Sequence, residues 1–321
     1  MYRLVKVFSI VFIYLLIFTT TCIAAGKLAV FVSILPQQYF VQQIGKDLVE
    51  IQVMVQPGAN PATYEPKPQQ MADLSKANIY FAIGVPFENA WLGKIADSNP
   101  NMRVIHTGRD IEKLSMKAHH HHDDQAEEHH EGEHHEANQG HEKGEHQGEA
   151  AHEEDHHEHA GLDPHIWLSP PLVKIQARNI LAALQEADPA HRSVYETNFK
   201  EFTARIEELD TELKNTFAGK KGLQFMVFHP AWGYFAQAYG LKQVPIEIEG
   251  KDPKPAQLKE LIQHARKNGI KVVFVQPQFS TKSAELIARE IGGQVAFANP
   301  LAEDWMANLR QVANKFQAAI K

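Results

Sequence analysis

Two populations of histidine occur in this chain, and they point to different uses of the imidazole. Of 19 histidines, fourteen fall in one stretch, residues 119–160: His119, His120, His121, His122, His129, His130, His134, His135, His141, His146, His152, His156, His157 and His159. The same stretch holds fourteen Asp or Glu and one basic residue, Lys143. Imidazoles interleaved with carboxylates suit repeated, exchangeable binding of Zn2+, Cu2+ or Ni2+. A solvated acidic linker requires no histidine at all. The other five histidines are dispersed. His229 directly follows the apolar run Phe225-Met-Val-Phe228, at the carboxyl end of a predicted strand. His165 lies in Leu162-Asp-Pro-His-Ile-Trp-Leu168, where Asp163 is placed to accept a hydrogen bond from the imidazole and orient it. His191, opening a helix, and His264, in mid-helix, read as solvated or helix-terminus side chains; His106, at a strand end, is intermediate, with the solvated reading favoured. A zinc site with exchangeable character typically has three protein ligands, so two histidines are not enough. Loops at other strand ends offer Glu65 in Asn60-Pro-Ala-Thr-Tyr-Glu-Pro66, Glu247 and Glu249 in residues 246–251, and Asn299 in Ala298-Asn-Pro-Leu301.

The elements that must position these groups alternate. Leu28–Ile34, Val49–Val55, Ile79–Ile83 and Met102–His106 read as strands, with helices over Tyr39–Gly45, Pro68–Lys76 and Phe87–Ala96 between them. Low in apolar residues and rich in Gly, Glu and His, residues 119–160 are expected to be disordered without metal. Pro171–Glu186 reads as a helix. Asp188-Pro189, a cap and first-turn pair, opens a longer one. Its apolar stripe is Phe199, Phe202, Ile206, Leu209, Leu213 and Phe217, and it ends at Gly219. Alternation then restarts, with strands at Gln224–Phe228, Gln243–Ile248, Lys271–Val275 and Gln294–Phe297. The predicted helices are Ala231–Tyr239, Pro255–Asn268, Thr281–Ile291 and Glu303–Ile320. The pattern predicts an α/β protein of two similar lobes, each a parallel sheet flanked by helices, joined by one long rigid helix. The expected units are an N-terminal lobe over 26–187, a linker helix over 188–219 and a C-terminal lobe over 220–321. The natural ligand site is the cleft between lobes, beyond the carboxyl ends of the strands.

Charge and termini set the compartment. The 321-residue chain has a formal net charge of −7, but residues 119–160 alone carry −13, leaving a mildly basic remainder of +6. That balance does not indicate a nucleic-acid binder. Residues 1–25 read as an export signal: Arg3 and Lys6, an apolar run from Val7 to Phe18, then small residues to Ala24 and Ala25. That 12-residue run falls short of the ~20 a membrane span needs. Cys22 is the only cysteine; Thr19-Thr20-Thr21 before it makes a poor lipoprotein signal, so a periplasmic protein is expected over a surface lipoprotein. The two HExxH strings, His130–His134 and His152–His156, fall in the stretch expected to be disordered, where no helix holds the histidines on one face; no GxSxG elbow is present, and no enzyme is expected.

Five segments taken in order resemble the periplasmic metal-binding proteins of ABC importers for zinc and manganese, and most closely the zinc (ZnuA-like) branch. They are Ser33–Gln38, Pro57-Gly58 with Tyr64-Glu-Pro66, Asp163–Leu168, Phe228–Tyr234, and Phe274–Lys282 with Pro300-Leu301. The resemblance implies a metal held between two α/β lobes by His165 and His229. It also exposes two departures. Ala62 stands where the family's Pro-His-x-Tyr-Glu-Pro motif has its first histidine ligand, and Asn299 stands where an acid is usual. Three completions of the site follow: a group from residues 119–160, Glu65 or water, or a weakened cleft with metal held mainly by the insert. Imidazole donors favour Zn2+ over Mn2+, with Cu2+ and Ni2+ compatible. The implied function is capture of Zn2+ by a monomer and delivery to an ABC transporter membrane permease. The alternative is a periplasmic zinc buffer or metallochaperone working through the insert.

Overall fold

Short apolar runs such as Ile79-Tyr-Phe-Ala82 and Val272-Val-Phe-Val275 are buried at every position, which requires covering layers on both faces of the sheet. The computed structural model describes residues 26–116, 161–248 and 250–319 and supplies those layers. Strands β1 (Leu28–Val32), β2 (Val49–Val53), β3 (Ile79–Ala82) and β4 (Arg103–His106) form a parallel sheet in the order β2-β1-β3-β4. Strands β5 (Gln224–Val227), β6 (Lys242–Pro245), β7 (Val272–Val275) and β8 (Gln294–Phe297) repeat it as β6-β5-β7-β8, again parallel. The predicted export signal, the fourteen insert histidines and Glu249 lie outside the described residues.

Helices α1 (Leu35–Gly45), α2 (Pro68–Leu74), α3 (Pro86–Ser98) and α4 (Pro170–Ala187) belong to the first lobe. The second lobe has α6 (Gly233–Ala238), α7 (Pro255–Lys267), α8 (Lys282–Glu290) and α9 (Trp305–Ala319). Between them runs α5 (Arg192–Thr216), 25 residues and about 38 Å long at 1.5 Å per residue. It is shorter than the predicted 188–219 because Pro189–His191 forms a separate 3-10 turn. Asp188 does not cap that turn through its side chain. Its Oδ2 instead accepts from His191 Nδ1 at 2.7 Å and from the Tyr195 hydroxyl at 2.8 Å. His191 is therefore a half-buried helix-terminus group, paired with Asp188. Gly219, at φ +76°, takes the left-handed conformation just past the helix, where a side chain would be strained.

The predicted stripe on α5 is buried at Phe202, Ile206, Leu209, Leu213 and Phe217 and packs against α1, α4 and α9. One hydrophobic core thus continues through both lobes. Phe40 on α1 meets Trp305 on α9 edge-on, with ring centroids 5.2 Å apart. Two indoles tie the seam. Trp167 Nε1 donates to Pro300 O at 2.7 Å, and Trp305 Nε1 donates to Trp167 O at 2.6 Å. Among the described residues no helix is long and apolar enough to cross a membrane.

Candidate metal centre

In both sheets the chain reverses its direction of travel between two central strands, β1 and β3 in one lobe and β5 and β7 in the other. Loops diverge there, leaving a crevice beyond the carboxyl ends. The first lobe fills its crevice. Glu88, 3% exposed, accepts from Ser33 Oγ at 2.5 Å, Ile83 N at 3.0 Å and Gly84 N at 2.8 Å, while Ser33 Oγ also bonds the Tyr80 hydroxyl. Burial pushes the Glu88 carboxyl above its ordinary range, against the opposing pull of these hydrogen bonds. The second lobe places His229 at its crevice, two residues past β5.

His229 is held on several sides. Gln276, directly after β7 and 1% exposed, accepts from His229 N at 3.2 Å and donates to His229 O at 2.5 Å. Phe279 stacks on the imidazole, 4.9 Å between centroids at 17°. Glu247 Oε1 lies 2.7 Å from Nδ1. The 3-10 turn Ile166–Leu168 follows His165 on the facing side. Asp163 Oδ1 accepts from His165 N at 2.9 Å and lies 2.7 Å from His165 Nδ1. Burial lowers the His165 pKa, with the Asp163 charge and hydrogen bond opposing. At neutral pH the ring is therefore an uncharged donor.

The two rings meet with Nε2 to Nε2 at 3.4 Å. In the tautomer that directs each Nδ1 proton to its carboxylate, each Nε2 presents a lone pair to the gap between the rings. Two lone pairs facing at this distance repel unless a cation lies between them. Zn–N bonds of about 2.0–2.1 Å at a tetrahedral angle separate two nitrogens by roughly 3.3–3.4 Å, so the pair is already spaced for one ion.

The other sequence candidates are exposed or have hydrogen-bond partners of their own. Glu247, a candidate ligand by sequence, is the orienting acceptor of His229. Glu65 is exposed on the loop before α2, as is Ala62. That loop is tied down, Phe87 N donating to Pro61 O at 3.1 Å and Tyr64 OH to Gln70 Oε1 at 2.5 Å. Asn299 Oδ1 accepts from Leu301 N at 3.0 Å and from Gln278 Nε2 at 3.5 Å. Asn299 lines a cleft of about 280 Å3 with Ile34, Gln56, Gln278 and Glu303. Among the described residues no group of three or more His, Cys, Asp or Glu is placed to share a metal ion. His264 bonds Gln224 Oε1 at 2.6 Å, and His106 is exposed at the end of β4. Sequence reasoning missed Gln276 and Phe279. A lone Gln closing the fully apolar Val272–Val275 run, in the place His229 occupies near β5, was the available signal for the first.

The sequence model of the family described as ZnuA, zinc-uptake complex component A periplasmic, matches residues 30–319. The chain is 31% identical over 279 residues to the high-affinity zinc uptake system protein ZnuA of Bacillus subtilis (strain 168), covering 86% of this chain and 79% of that protein. It is 25% identical over 280 residues to the zinc-binding lipoprotein AdcA of Streptococcus pneumoniae (strain ATCC BAA-255 / R6); this covers 87% of the chain but only 51% of that longer protein. A crystal structure of ZnuA superimposes with a TM-score of 0.77 at 42% identity, covering 91% of this chain and 99% of that one. A zinc-bound deletion mutant of ZnuA gives 0.77 at 41% identity, covering 92% and 98%.

Proposed function

The chain belongs to the family of periplasmic A components of zinc-uptake complexes, and from that premise we propose that His165 and His229 form the site at which it captures Zn2+ for delivery to the membrane permease of an ABC importer. Family membership makes it a zinc-capturing solute-binding protein and not an enzyme. The observation that supports the site is the pair of Nε2 atoms 3.4 Å apart, each ring anchored by a carboxylate at its Nδ1. The two imidazoles supply half of a tetrahedral set. Water takes the remaining positions, or Asn299 and Glu65 do so after their loops rearrange.

Delivery requires the ion to leave. The continuous core and the Trp167–Trp305 seam oppose a wide hinge motion. Release therefore works through local displacement of the loops bearing His229 and Phe279 on docking to the permease. The protein acts in the periplasm as a monomer. The experiment is calorimetric titration of the metal-stripped protein with Zn2+. The parent should show a site with Kd at or below micromolar. His165→Ala and His229→Ala should each abolish it while residual weak binding continues. Equal affinity in parent and both variants would reject the assignment.

A further inference from the structure

Tyr234 is five residues beyond His229, in the first turn of α6, and 2% exposed. Its hydroxyl accepts from Leu114 N at 2.9 Å and donates to Asp163 O at 2.9 Å. Both partners belong to the first lobe. Leu114 O in turn accepts from Asp163 N at 2.8 Å, Ser115 and Leu162 form an antiparallel bridge, and Met116 N donates to Gly161 O at 3.0 Å. These residues are a short two-stranded stalk, and the side chain at its end, Asp163, orients His165. A second observation shows how closely the two sides approach. A Cβ on Gly233 would sit 3.0 Å from Asp163 Oδ2 and 3.4 Å from Gln243 Nε2.

We propose that Tyr234 is a positioning residue of the zinc site: its hydroxyl, pinned to both strands of the Leu114–Asp163 stalk, sets the distance between the His229 segment and His165. The chain of contacts is short and uninterrupted. Tyr234 shares its helix-loop segment with His229, and the hydroxyl fixes the peptide groups of Leu114 and Asp163. The Asp163 carboxylate fixes both the main-chain N and the Nδ1 of His165. Removing the hydroxyl leaves the ring's packing in place but frees the stalk to shift along the seam. A pair spaced for one ion tolerates little shift, because Zn–N distances span only about 0.1 Å.

This inference rests on the His165–His229 site, and its test separates the two. The full chain carrying Tyr234→Phe is compared with the parent, with Tyr195→Phe and with His229→Ala. Tyr195→Phe deletes a hydroxyl of the same kind, bonded to Asp188 Oδ2 at 2.8 Å at the start of α5, away from the site. Zn2+ affinity is read by competition with a chromophoric chelator, and coordination by the visible absorption of protein loaded with one equivalent of Co2+. Tyr234→Phe should weaken zinc binding about tenfold or more, in the range seen when groups behind a ligand are removed. It should also change the Co2+ spectrum, whereas Tyr195→Phe keeps the parent's affinity and spectrum. Tyr234→Phe binding within twofold of the parent with an unchanged Co2+ spectrum would overturn the proposal, as would equal weakening by Tyr195→Phe. Parent-like binding by His229→Ala would overturn the underlying site, and the proposal with it.

Discussion

Glu247 offers the sharpest test of the proposed site, because its carboxylate touches the proposed ligand His229. Its Oε1 is 2.7 Å from His229 Nδ1, and its side chain is 5% exposed. An imidazole spans about 2.2 Å between nitrogens, and a Zn–N bond adds about 2.0–2.1 Å. The carboxylate charge thus sits roughly 6–7 Å from a bound Zn2+. Coulomb attraction between charges of −1 and +2 at that distance is ~5 kcal/mol at an effective dielectric of 20 and ~1.3 kcal/mol in bulk water. His229 retains 20% side-chain exposure, so screening pulls the value toward the lower bound. Losses of 10–100-fold on removing such partners correspond to about 1.4–2.7 kcal/mol and fall inside that interval. Glu247→Gln keeps an oxygen acceptor for Nδ1 and removes only the charge; Glu247→Ala removes both. The expected order of zinc affinity is parent, then Gln, then Ala, with Ala weaker by 10–100-fold. Metal-free stability should change little or rise for Gln, since a buried carboxylate is itself costly to desolvate. The assay is chelator competition for affinity, paired with denaturant unfolding with and without zinc. If both variants bound zinc within twofold of the parent, the orienting role assigned to Glu247 would be refuted.

Other expectations concern pH, the lobe seam and the departure from the family motif. Burial depresses the His165 pKa, so proton competition at this ring sets in below, not at, the ordinary imidazole value of about 6.5. Zinc affinity should fall as the pH is lowered from 7.5 to 5; an unchanged constant at pH 5 would sink a histidine-based site. The same shift acts on the metal-free protein: below about 6.5 the unfolded chain takes up a proton that the folded ring resists, so stability declines as pH falls. Trp305→Phe removes the 2.6 Å hydrogen bond to Trp167 O and leaves a cavity in the shared core. Denaturant titration should show a loss of roughly 2–4 kcal/mol, and a loss under 1 kcal/mol would mean the seam is not held as described. Ala62→His returns an imidazole to the motif position where the family carries one and should tighten zinc binding at least tenfold in chelator competition. Unchanged affinity would show that this loop, held by Pro61 and Tyr64, does not present residue 62 to the ion.

Much of this protein was legible without coordinates, because the signals were local. Short strand runs, apolar throughout as in Ile79–Ala82 or alternating as in Val49–Val53, the apolar stripe of the long helix, and the strand–helix alternation are properties of neighbours in sequence, and they led to two parallel-sheet lobes and a long joining helix. Asp163 was readable as the partner of His165 for the same reason, lying only two residues away. His229 was readable from its place beyond a strand end, where open sheets leave their crevices. Convergence was not local. His165 and His229 are 64 residues apart and meet only because the two lobes share one core. Glu247, eighteen residues from His229, looked as plausible a ligand as Glu65 until packing directed its carboxylate to Nδ1. Asn299 could be placed on a loop by its neighbours, but not committed to Leu301 N and Gln278, since turn geometry and a second loop decide where its oxygen points. The residue types and their periodicity determined which chemistry was available and which elements would carry it. Only tertiary packing decided which donors face one another, because a spacing of a few ångströms across two lobes is set by side-chain contacts remote in sequence.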